Sequence, residues 1–141
     1  MTTKTRPQFR AGLILCGSLL WAGSVCADAV TDWNEITMAA VTASRPGPQG
    51  MLDVALVQVA VHDAVQAFDK RFEPYHVEIK GARGSRSAAT AAAARDVLAG
   101  IYPDPAKVAS LDAIYFNYLA DKGLTNDPGL AVGQKAAAGI L

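Results

Sequence analysis

Cysteine is almost absent from this chain: of 141 residues only Cys16 and Cys26 carry a thiol, and both lie near the N-terminus. Histidine is as scarce, with His62 and His76 alone, which leaves few metal sites open. Charge of one sign is missing too. Thirteen basic side chains balance thirteen acidic ones and 18% of residues are charged, so there is neither a basic patch for nucleic acid nor an excess that enforces disorder. The apolar run Ala11 to Trp21 falls short of the roughly 20 residues that a membrane-spanning helix requires. What is present is a hydrophobic fraction of 51%, ample for a core, in a chain well below the roughly 250 residues at which cores divide. One small globular domain is expected.

The first residues read differently from the rest. Lys4, Arg6 and Arg10 precede the apolar run, no acid occurs before Asp28, and Val25-Cys26-Ala27 supplies small residues for a signal peptidase. Residues 1–27 are therefore expected to be a cleavable signal peptide, cut after Ala27, and the protein to be secreted or periplasmic. Removing three cations from thirteen leaves ten against thirteen acids, a formal charge of minus three and a soluble chain with no membrane partner. Both cysteines leave with that segment, and neither stands in a lipoprotein pattern. Packing, not disulfides, is expected to hold residues 28–141.

Those residues read as a bundle of helices. Asp32 and Glu35 have capping-box spacing, and Trp33, Ile36, Ala40 and Val41 share one face of a helix ending near Ser44. Arg45-Pro46-Gly47-Pro48 predicts a loop to about Gly50. Residues 51–69 are the most strongly periodic. Gln58, His62, Gln66 and Asp69 form one narrow polar stripe and nearly everything else is apolar, so this helix is expected to be central and buried over most of its circumference. A long connection from Arg71 to Arg86 follows, with a short extended piece at His76 to Ile79. Ser85 or Ser87 caps an Ala-rich helix to Ile101; Asp104-Pro105 opens another that ends before Gly123; Asp127-Pro128 repeats the start signal. Leu130 to Leu141 stays apolar and small to its last residue, which predicts a helix cut in mid-course and a domain incomplete at its C-terminus.

Chemistry is hard to find in this pattern. His62 and Asp63 are the most suggestive pair, yet neighbours on a helix diverge by about 100° and do not grip one ion. A structural role, hydrogen-bonded at a helix interface, is expected for His62, and Asp63 is expected to cap or to pair with a buried donor. A metal site on His62 and His76 is the weakest of the alternatives. Ser85 and Ser87 lack a nucleophile elbow, Arg83 and Arg86 suit a solvated loop better than an anion site, and Tyr115, Phe116 and Tyr118 suit core packing better than a ligand wall. No catalytic, cofactor-binding or metal-ligating residue is assigned.

Asp32-Trp33-Asn34, the stretch Ala55 to Val65 (ALVQVAVHDAV), Tyr102-Pro103 after the Ala-rich helix, and Ala131-Val132-Gly133-Gln134 with Ala136-Ala137 together resemble the N-terminal helical half of secreted vanadium-dependent haloperoxidases and the related type 2 phosphatidic acid phosphatases. The resemblance covers most of residues 28–141 and implies an all-α helical bundle. It also implies, for a full-length enzyme, a vanadate or phosphate held by three motifs: Lys, six residues, Arg-Pro; Pro-Ser-Gly-His; and Ser-Arg leading to a histidine. None of them occurs here. Arg45-Pro46 has Met38 in place of the lysine, and Gly84-Ser85-Arg86 has no histidine after it. The expectation is thus a scaffold portion of such an enzyme, inactive alone and without its own cofactor, whose partner is the missing C-terminal half-bundle or a second copy meeting it through exposed apolar helices. The alternative is a stand-alone exported helical module that binds a partner or itself.

Overall fold

The computed structural model describes residues 28–141, so the expected signal peptide, its cleavage site and both cysteines lie outside the described residues. Those residues form five helices and no strand: α1 (Ala29–Ser44), α2 (Pro48–Asp69), α3 (Arg86–Ile101), α4 (Pro105–Asp121) and α5 (Gly129–Ile140). The all-α helical bundle is as expected.

Alanine decides which helix sits at the centre. Along α3, Ala88, Ala89 and Ala91 to Ala94 are fully buried, and α3 packs on all four other helices. A methyl side chain lets a neighbouring backbone come close, and a helix with methyls all round accepts close neighbours on every side. Gly133 of α5 extends this, since a Cβ there would fall on the Ala89 carbonyl and the Ala93 amide. The expectation that α2 is the central, mostly buried helix is corrected: Met51, Leu52 and Leu56 are exposed while Asp53, Asp63 and Gln66 are buried. Hydropathy alone points to the valine-rich helix; close packing favours the alanine-rich one.

The starts of α1 and α2 also differ from expectation. No capping box forms at Asp32, because α1 already begins at Ala29 after an extended Asp28. Asp32 instead sits in the first turn, where its carboxylate accepts from the Tyr118 hydroxyl at 3.3 Å and pairs with Lys122 of α4 at 3.6 Å. α2 starts at Pro48 rather than at Met51: Gly47 takes φ +96°, which turns the chain so that Pro48 can occupy the first helical position, where its missing N–H costs nothing.

Signals at the other starts hold. The Ser85 hydroxyl accepts from the Ala88 amide, and Asp104 accepts from Ala106 and Lys107. Asp127 does more than cap α5. Its Oδ1 accepts from Gly129 N at 2.7 Å and from Ser85 N at 2.8 Å, tying the starts of α3 and α5 together across 42 residues. Burial would raise its pKa, but these hydrogen bonds and one involving the Ser85 side chain outweigh that and hold it below the usual carboxylate range. A lowered folded pKa stabilises the fold above the unfolded pKa near 4 and loses that contribution as pH falls through the folded value. Asp127→Ala is expected to lose roughly 1 to 2 kcal/mol at pH 7. Urea unfolding at pH 7 and pH 3 checks both parts, because the gap between wild type and variant should narrow in acid.

Candidate functional site

The buried polar face of α2 is where site chemistry was most to be expected. In its C-terminal half, His62, Asp63 and Gln66 are aimed at the connection between α2 and α3, residues 70–85, which has no regular structure of its own. Asp63, 1% exposed, accepts three backbone amides: Tyr75 at 2.5 Å on Oδ1, and His76 at 2.9 Å and Val77 at 2.7 Å on Oδ2. One turn on, Gln66 Oε1 accepts from Arg71 N at 3.1 Å and Phe72 N at 2.9 Å. His62 Nε2 lies 3.1 Å from the Glu73 carbonyl. The expected extended piece at 76–79 carries no strand pairing; side chains from α2 fix it instead.

This geometry gives His62 and Asp63 structural work. The expected buried donor for Asp63 turns out to be a run of three amides, and the partner of His62 is the loop rather than another helix. Both oxygens of the Asp63 carboxylate are engaged by backbone N–H donors. Among the described residues no group of three histidine, cysteine or acidic side chains gathers around one point.

Several other charged groups are paired in the same structural manner. Asp53, 5% exposed, accepts from the Tyr102 hydroxyl at 2.6 Å and pairs with Arg45 at 3.5 Å. Burial, followed by that hydrogen bond to a carboxylate, pushes Tyr102 up to about 12. Arg95 bridges α3 to α4 through Asp112 and also bonds Asp96; these acids outweigh the burial that would lower its pKa, and raise it. Arg86 pairs with Asp69 at 2.8 Å, so it is not held ready for an anion, and Arg83 is exposed. Tyr115 packs edge-on to Trp33 in the core, whereas Phe116 points outward and 58% of it is exposed.

Two apolar surfaces stand out among the described residues. The first is an open groove of about 700 Å³ between α1 and α4, both of which rest on α3 and meet each other through side chains, Asp32 with Tyr118 and Lys122 and Trp33 with Tyr115. Ile36, Ala39, Ala40 and Ala43 form one wall, and Leu111, Ile114 and Tyr118 the other. Ile36 and Ala40, expected on one face with Trp33 and Val41, are partly buried against the core, and the i, i+3, i+4, i+7 spacing of the α1 wall is the sequence signal that they continue into a stripe. The second surface is the outer face of α2, where Leu52, Ala55, Leu56 and Val59 repeat at the same spacing beside Tyr75 and Ile140. α2 is long and apolar enough to cross a membrane by length and composition, but its buried Asp53, Asp63 and Gln66 face the bundle.

No protein family, no curated protein and no solved structure matches this chain.

Proposed function

We propose that this chain supplies scaffold helices of an exported enzyme of the vanadium-dependent haloperoxidase and type 2 phosphatidic acid phosphatase kind. In this reading the oxyanion chemistry, halide oxidation by peroxide or phosphomonoester hydrolysis, belongs to a helical half that carries the three motifs absent from these 141 residues. The observation that supports it most is the division of α2. Its inner polar groups are all engaged in holding the bundle and the 70–85 loop, while its outer stripe of Leu52, Ala55, Leu56 and Val59 is apolar and uncovered, a surface suited to receive further helices. The stretch that carries the resemblance, Ala55 to Val65, contains much of both faces. Vanadate has no residues to hold it here, and no step of its chemistry is assigned to this chain.

The purified chain is expected to oxidise neither bromide nor chloride with vanadate and peroxide, and to hydrolyse no phosphomonoester. Activity that co-purifies with the chain and disappears with it would refute the scaffold reading. Sequencing the gene beyond the Leu141 codon tests the other half: the three motifs are expected in frame, and their absence would sink the proposal.

A further inference from the structure

The groove between α1 and α4 carries its charges unevenly. At the end formed by the start of α1 and the finish of α4 the lining includes Asp32 and Glu35, with Asp121 as the last residue of α4; the one cation lining this end among the described residues is Lys122, which is paired with Asp32. Glu35 has no ion pair among the described residues. At the opposite end Lys107 stacks over the Tyr102 ring, 5.5 Å from its centroid, with no carboxylate partner among the described residues. Between the two ends the walls are apolar, and midway along α4 stands Ile114, 44% exposed.

We propose that the occupant of this groove is a second copy of this chain, with the two α4 helices antiparallel about a two-fold axis near Ile114. Charge and spacing select that occupant. In a two-fold contact each surface must complement itself, so a face acidic at one end and basic at the other pairs with its own copy only when the two run antiparallel. Lys107 lies seven residues before Ile114 on α4, and a two-fold axis there sets it opposite the last turn of the partner helix, beside Asp121 and Glu35. The ion pair between Lys107 and Glu35 then forms twice. The small side chains of Ala39, Ala40 and Ala43 leave room on the α1 wall for the incoming Ile114. This contact uses neither the outer face of α2 nor any oxyanion-binding residue, so it stands apart from the scaffold proposal.

The purified full chain, measured by light scattering on a sizing column and by sedimentation at micromolar concentration, is expected to be a dimer. Ile114→Glu is expected to give a monomer with unchanged helical circular dichroism. Reversing one charge, Lys107→Glu or Glu35→Lys, should weaken association about tenfold or more, since symmetry repeats each lost pair. The double reversal, Lys107→Glu with Glu35→Lys, should restore the dimer, which a folding defect would not do. A monomeric wild type, a dimer indifferent to Ile114→Glu, or a double reversal no better than the single ones would each overturn the proposal.

Discussion

Asp63→Ala is expected to lower the unfolding free energy by about 3 to 4 kcal/mol, a large part of what a domain of this size possesses. The carboxylate is buried and receives three amides from consecutive residues, Tyr75, His76 and Val77. A charge-assisted hydrogen bond is worth more than a neutral one, and its removal strands the donors it satisfied. Some of those amides would find water as the loop lifts, which keeps the loss below three full desolvation penalties. Asp63→Asn should recover little, because one oxygen becomes a donor facing donors. His62→Ala serves as the contrast: its single contact with the Glu73 carbonyl is exposed, so a change under about 1 kcal/mol is expected. Urea unfolding of the three variants checks this, and equal losses at His62 and Asp63 would contradict it.

The second large effect is expected at Gly133. Here α5 lies against α3 so closely that an added Cβ would meet backbone at Ala89 and Ala93 and the side chain of Ala92. Backbone of two packed helices cannot step aside as a flexible side chain does. Gly133→Val should therefore force the helices apart and cost about 3 kcal/mol or more, even though valine lowers the backbone entropy lost on folding. Ala131→Val, on the exposed side of the same helix, should stay within about 0.5 kcal/mol of wild type. A Gly133 variant as stable as wild type in thermal or urea unfolding would show that α3 and α5 tolerate separation.

Both effects lie where sequence reading had partial sight. Helix starts marked by local chemistry were legible: Ser85, Asp104 and Asp127-Pro128 each announce a helix within a few residues, and the structure uses all three. The core face of α4 was legible as well, with Leu111, Tyr115 and Leu119 buried, although Ile114 of the same stripe is exposed. What escaped was set by distant partners. Asp63 could be read as needing a donor, but nothing local says that the donors are amides twelve to fourteen residues on. Asp32 could be read as a cap because its interactions with Tyr118 and Lys122 lie 86 and 90 positions away. The central place of α3 escaped because alanine contributes little to a hydropathy pattern, while its small volume governs how near two helices can approach. Of the candidate surfaces, the groove was invisible for the same reason: it arises from where α1 and α4 both sit on α3, not from either helix alone.

The ties that join distant parts of this fold are carboxylates: Asp53 holds Tyr102, Asp63 the 70–85 loop, Asp112 holds Arg95, and Asp127 two helix starts. Small extracellular domains commonly use disulfides for that task, and no cysteine occurs between residues 28 and 141. The environmental sensitivity of the fold is exchanged accordingly. Thiol reductants have nothing to cut in these helices, so a change of redox compartment leaves their cross-links unaltered. Acid acts instead, and at Asp127, whose hydrogen bonds hold its carboxyl below the usual range, a protonated carboxylate would lose acceptor capacity and charge together.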